Sequence, residues 1–202
     1  MSSGLNGPVT LLTGGTGFLG SHLLRRLLTE EARVVLLKRS FSSDLRIRTI
    51  PGRFETWNLD VADVEEVFQR FDVRRVIHCA TNYGLNDATP WKTIEANLIL
   101  PLKLIHLAKM AGASTFVNTD TILNKRISHY SVSKNQFIDW MQNYAGDLAC
   151  INIALEHFYG PDDDPSKFVT HVLLALLEKI PRLALTPGEQ CRDFIYIDDV
   201  IE

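Results

Sequence analysis

Cysteine is scarce: Cys79, Cys150 and Cys191 are the only three, widely separated in a chain of 202 residues. An odd number with no paired spacing excludes a disulfide framework and a structural zinc motif, so reduced thiols in a cytoplasmic protein are the expectation. Long apolar runs are lacking too, and none approaches the roughly 18–20 residues that a bilayer span needs. Neither sign of charge is in excess: a net charge of −3 argues against a dedicated nucleic-acid binder. Met1-Ser2-Ser3-Gly4 has no basic n-region and no apolar h-region, so no signal peptide is expected. Asp162, Asp163 and Asp164 stand alone between Pro161 and Pro165 and read as a solvated turn, so no metal site is expected. What remains is 46% hydrophobic residues at a mean hydropathy of +0.01, enough to build a core.

Short β-type runs alternate with helical patterns. The runs are Val9–Thr13, Val34–Leu37, Arg75–Ala80, Thr115–Asn118, Ala149–Ala154 and, near the end, Phe194–Ile197. The four residues Val34 to Leu37 show no polar alternation, as expected of a strand buried on both faces. Helical segments are expected over 21–28, 61–71, 97–111, 130–144 and 168–180. Such alternation predicts an α/β fold, a doubly wound parallel sheet of Rossmann type with helices on both faces. Composition shifts after Gly160, which predicts a domain over 1–160 and part of a second lobe over 161–202.

Gly14-Gly15-Thr16-Gly17-Phe18-Leu19-Gly20 lies between the first run and the first helix. Glycines at 14, 17 and 20 permit a tight turn, a close approach to pyrophosphate and close helix–strand packing, which predicts a dinucleotide site. The helix N-terminus beyond them suits phosphate. An acid at the end of the second strand would select NAD(H). The chain has Lys38-Arg39-Ser40 there instead, so NADP(H) is preferred and NAD(H) stays possible. A merely solvated basic loop is the alternative. Asp60, followed by Val61, is placed either against the adenine amino group or as a helix cap.

Tyr130 and Lys134 are four residues apart and share one helix face. An ammonium about 4 Å from a phenolate contributes roughly 4 kcal/mol at an effective dielectric near 20. That amounts to about 3 pKa units before desolvation is subtracted, enough to bring a tyrosine toward physiological pH. A hydroxyl donor, Thr119, follows the strand at 115–118, and strand carboxyl ends are where ligands of such sheets bind.

With these motifs the chain closely resembles the extended short-chain dehydrogenase/reductase family, also called the NAD-dependent epimerase/dehydratase family. The likeness includes the glycine loop, Asp60-Val61, His78-Cys79-Ala80, Asn97, Thr119, Tyr130 with Lys134, Tyr159-Gly160-Pro161 and Arg192-Asp193-Phe194. The resemblance implies Thr119 as the hydrogen-bond donor to the reacting oxygen, Tyr130 as acid/base, and Lys134 on the nicotinamide ribose. It implies Asn97 as a structural asparagine, and Cys79, Ala80 and Thr81 as cofactor neighbours. Arg192 would bind the diphosphate of a nucleotide-sugar, with an ion pair to Asp193 as the alternative. Tyr83, Asp120 and His157 are further candidate substrate contacts, Asp120 otherwise serving as a strand-end hydrogen-bonding residue. His78 is expected to be packed rather than to act as a base.

Departures from the family pattern narrow the expectation. Family dehydratases carry Asp-Glu after the threonine, and Asp120-Thr121 lacks the glutamate. The interval from Thr119 to Tyr130 is short. Together with Glu156-His157, these features resemble the 4-ketoreductase branch, similar to the CDP-abequose synthases, and imply reduction of a 4-keto nucleotide-sugar with NADPH. A nucleotide-sugar epimerase and a non-catalytic NADP(H)-binding regulator are the alternatives. The resemblance also implies a homodimer through helices 97–111 and 130–144, with core packing as the alternative. Finally, Asp193 to Val200 reads as the lead into a further helix, so the chain is expected to be a fragment with an incomplete substrate lobe.

Overall fold

The computed structural model describes residues 7–85 and 89–202. The leader reading of Met1 to Gly4 lies outside them. Two compact units are present, Met1–Ala154 and Leu155–Glu202. The first contains β1 (Pro8–Thr13), α1 (Phe18–Thr29), β2 (Val34–Lys38), β3 (Glu55–Asn58), α2 (Val64–Arg70) and β4 (Asp72–His78). It continues through α3 (Pro90–Ile94), a π-helical turn (Glu95–Ile99), α4 (Leu100–Met110), β5 (Thr115–Thr121), α5 (His129–Gln142) and β6 (Ala149–Leu155). The strands form one sheet in the order β3-β2-β1-β4-β5-β6. The pairs from β3 through β5 run parallel. Strand order reverses between β1 and β4, which opens a crevice at their carboxyl ends, the usual ligand position in this topology.

Successive side chains leave a strand on opposite faces, and each face has its own core. Val9, Leu11, Val35 and Leu37 join Phe116 and Phe137 in one cluster, while Leu12, Val34 and Leu36 join Leu24 and Leu27 of α1 in the other. Both faces being covered is why β2 reads as an unbroken apolar run.

The helix expected over 97–111 is divided. Pro101 has no N–H to give to the carbonyl four residues back, and the backbone widens into the π turn just before it. That turn carries Asn97, fully buried. Nor is α4 buried on all sides: Leu104, Ile105 and Ala108 are, whereas Met110 is 73% exposed. On α5, Phe137 and Met141 enter the core and Trp140 faces outward, half-exposed. Sequence reading did not identify β3, whose Glu55-Thr56-Trp57-Asn58 is too polar to stand out, nor α3.

The second unit holds β7 (His157–Tyr159), α6 (Phe168–Leu177), β8 (Phe194–Tyr196) and α7 (Ile197–Ile201), with β7 and β8 paired in parallel. The break falls at Ala154/Leu155 rather than after Gly160, because β7 pairs with β8 and so takes residues 157–159 into the second unit. Ile197 opens α7 instead of closing the last strand. Asp163 and Asp164 spend carboxylate oxygens on the N–H groups of Asp164 and Ser166, as a turn requires. Among the described residues no helix is long and apolar enough to cross a membrane.

Candidate active site

The glycine loop begins where β1 ends. Gly14 has φ +71°, and a Cβ on it would lie 2.5 Å from the backbone nitrogen of Ala80. A Cβ on Gly20 would collide with the Gly14 carbonyl. Gly17 N–H donates to that carbonyl at 2.9 Å and caps α1 with no side chain over the helix end and no acid in its first turn. The N–H groups of Phe18, Leu19 and Gly20 therefore face outward with the positive end of the helix dipole, and Thr16 sits in the turn before them. This cradle fits a dinucleotide pyrophosphate. Thr13 pins the loop to β4: its hydroxyl accepts from Ala80 N–H at 3.1 Å and pairs with His78 Nδ1 at 2.8 Å. Burial and the Lys134 charge hold His78 well below its ordinary pKa, so it is a neutral packed residue, as expected. Burial pushes the Cys79 thiol up to about 12, which leaves it without thiolate character.

At the end of β2 the cations are anchored rather than free. Lys38 pairs with Asp44 at 2.5 Å, and Arg39 pairs with Asp60. Asp60 also accepts from Ser40 N–H at 2.6 Å, and this bond with the Arg39 guanidinium lowers its pKa. The helix-cap alternative for Asp60 does not hold: the cap position of α2 is Asp63. Val61 is exposed.

Asn97 joins three segments. Its Oδ1 accepts from Asn82 N–H at 2.8 Å and from the Thr81 hydroxyl at 3.1 Å; its Nδ2 donates to Asn82 O at 2.8 Å and to Ser133 Oγ at 3.1 Å. Ser133 lies on α5, whose start is fixed by Ser128 and Ser131 exchanging side-chain and backbone hydrogen bonds. Tyr130 and Lys134 thereby reach the carboxyl end of β5.

There the geometry departs from the expected pair. Lys134 Nζ donates to the Thr119 carbonyl at 2.7 Å, not to the phenol. Burial, together with Tyr83, pushes Tyr130 up to about 12 instead of down, because the ring sits against Tyr83 at a centroid distance of 5.0 Å. Burial brings Lys134 down to about 8, with Asp120 opposing the fall. Thr119 Oγ1 donates to the His78 carbonyl at 3.1 Å. The hydroxyls of Thr121 and Thr81 oppose that rise of the Tyr130 phenol. Sequence reading passed over Thr121 as a catalytic candidate; its signal was the two-residue spacing from Thr119, which puts both on one face of β5. Asp120 is a hydrogen-bonding residue here, accepting from Asn152 Nδ2 at 3.0 Å.

In the second unit His157 is half-exposed, 3.8 Å from the Glu156 carboxylate and against the Phe194 ring. Arg192 is exposed, and among the described residues it makes no ion pair with Asp193 or with any other acid. Among the described residues no three His, Cys, Asp or Glu gather as a metal set.

Comparison with known proteins agrees with this geometry. The model of the NAD dependent epimerase/dehydratase family matches residues 10–202. The chain is 33% identical over 199 residues to the CDP-abequose synthase of Salmonella typhimurium, covering 95% of this chain and 67% of that enzyme. It superimposes on a UDP-glucose 4-epimerase from Thermotoga maritima with a TM-score of 0.80 at 21% identity, over 95% of this chain and 70% of that one. A UDP-glucuronic acid 4-epimerase from Bacillus cereus, solved in complex with NAD, gives a TM-score of 0.78 at 24% identity, over 95% and 71%. The chain thus spans about two thirds of the length of these proteins.

The buried lysine leaves a mark on stability. Between about pH 8 and 10.5 the unfolded chain holds a proton on Lys134 that the folded chain has lost, so Lys134 adds stability as pH rises through that window. Urea unfolding at about pH 8 and about pH 10 should show wild type gaining about 2 kcal/mol relative to Lys134→Met. A difference that does not change with pH would contradict the burial of the ammonium.

Proposed function

The chain belongs to the NAD dependent epimerase/dehydratase family, of the extended short-chain dehydrogenase/reductase type, and we propose that it reduces the ketone of a 4-keto nucleotide-sugar with NADPH. The observation that carries this reading is that a hydroxyl residue, Thr121, stands two positions after Thr119 at the end of β5, where it favours ionisation of the Tyr130 phenol. Elimination of water needs a carboxylic acid/base at that point, whereas delivering one proton to a developing alkoxide needs only hydroxyl donors. The 33% identity to a CDP-abequose synthase supports a deoxysugar substrate and makes a CDP-linked one the first to test.

In this reading the loop of Gly14, Thr16, Gly17, Phe18, Leu19 and Gly20 holds the pyrophosphate. Lys38, Arg39 and Ser40 receive the 2′-phosphate, and Asp60 and Val61 border the adenine. Cys79, Ala80 and Thr81 line the nicotinamide side, with Asn97 buried behind them, and Lys134 holds its ribose. Bound NADPH supplies the hydride. Tyr130 gives its proton to the ketone oxygen, and the Lys134 ammonium stabilises the phenolate left behind. Thr119 orients the reacting oxygen after exchanging its bond to the His78 carbonyl for one to substrate. Tyr83 and Asp120 contact the nucleotide-sugar in the first unit; for His157 and Arg192 of the second unit, Arg192 as a diphosphate ligand, the support is the family resemblance. A homodimer through α4 and α5 is supported by the outward-facing Met110 and Trp140.

Tyr130→Phe should lower NADPH-dependent turnover by about 10²–10⁴-fold while leaving NADPH affinity nearly unchanged; unchanged turnover would remove the tyrosine from the reaction. Titration of both cofactors should find NADPH bound more tightly than NADH, with the preference weakened in Arg39→Ala. Tighter NADH binding would overturn the cofactor assignment.

A further inference from the structure

Asp120 is held from the neighbouring strand by a chain of amides. Asn118 Nδ2 donates to Asn152 Oδ1 at 2.7 Å, and Asn152 Nδ2 donates to Asp120 Oδ2 at 3.0 Å. The chain starts on the fully buried Asn118 of β5, crosses to β6 and returns to β5. Both hydrogen bonds run toward the carboxylate, so Asp120 is offered a donor.

That charge stands next in sequence to Thr119, whose carbonyl receives the Lys134 ammonium. It acts on both members of the reacting pair, opposing loss of the proton from Lys134 and from Tyr130. The other groups facing Tyr130 are Tyr83 and the hydroxyls of Thr81 and Thr121. Those facing Lys134 are Cys79 and the neutral His78. Cys79 stays a thiol below its raised pKa, so Asp120 supplies the negative charge in this set at neutral pH.

We propose that Asn152 is a positioning residue: it fixes the Asp120 carboxylate at the end of β5, one residue past the carbonyl that holds Lys134, so that Lys134 and Tyr130 keep their protons and the site is set to reduce a ketone rather than to oxidise an alcohol. Oxidation needs a phenolate at the outset, and a fixed neighbouring carboxylate opposes one. In reduction the ketone carbon accepts the hydride, the C=O π pair moves to oxygen, and that oxygen takes the Tyr130 proton. An alkoxide is a far stronger base than a phenolate, so transfer remains favourable even from a phenol held as a weak acid. The direction of catalysis inferred here rests on the reductase reading; the carboxylate's effect on its neighbours does not.

The test follows the Lys134 side chain by NMR in protein labelled with 13C-lysine, its signal assigned by its loss in Lys134→Met. Asp120→Asn keeps an oxygen to accept from Asn152 but removes the charge. Its Lys134 midpoint should fall by about one pH unit. Asn152→Ala leaves the carboxylate but frees it, and should lower the midpoint by a smaller amount. The exchange Asp120→Asn with Asn152→Asp rebuilds the amide–carboxylate chain with the charge moved to β6. It should recover the unfolding midpoint while the lysine midpoint stays low. An unchanged lysine midpoint in Asp120→Asn or in Asn152→Ala would overturn the proposal. So would its full recovery in the exchanged protein, which would make the chain a staple between strands. Wild type that consumes no NADPH with a keto nucleotide-sugar, yet shows these shifts, would refute the reductase reading alone.

Discussion

The side-chain amide of Asn97 is the interaction on which the rest of the site depends. Its four hydrogen bonds reach the loop after β4 and the middle of α5, two segments that the parallel crossovers bring near one another but do not join. A buried carboxamide that satisfies donors and acceptors on both sides costs little to bury, and removing it would strand several partners at once. The π turn is what allows it: Pro101 forces the backbone to widen just where Asn97 must turn inward. From this one residue follow the position of Thr81, the course of the loop that carries Tyr83 against Tyr130, and the placement of α5.

Burial then decides the chemistry. Tyr130 and Lys134 share a helix face, but sharing a face is not the same as touching. The lysine spends its ammonium on a backbone carbonyl, and the phenol lies among hydroxyls and a second aromatic ring. Desolvation works against the charged form of each, upward for the phenol and downward for the ammonium. Asp120, fixed across two strands, opposes the second and adds to the first. The resulting site is one that holds protons.

Much of this was legible in the sequence, for identifiable reasons. Glycines at 14 and 20 announced the cradle because no other residue fits against Ala80 and the Gly14 carbonyl. The unbroken runs in β1 and β2 announced a sheet covered on both faces. What local pattern could not carry was long-range. Glu55 to Asn58 became a strand because β2 offered an edge, not because of its own composition. The seam at Ala154 depends on β7 finding β8, with His157 pairing to Phe194 far along the chain. Asn152 and Thr121 looked ordinary because their roles arise from neighbours on other elements. The Tyr130 shift has the same origin: spacing gives the shared face and the ammonium, but only packing gives the burial to be subtracted and the competing carbonyl.

Hydride delivery to a sugar ketone is the central claim, and isotope transfer tests it most directly. The full-length protein would be supplied with NADPH deuterated at the transferable nicotinamide C4 position and a CDP-linked 4-keto sugar. Deuterium should appear on C4 of the sugar, with one NADP⁺ formed for each product molecule. A sugar isomerised with no NADPH consumed and no deuterium incorporated would contradict it.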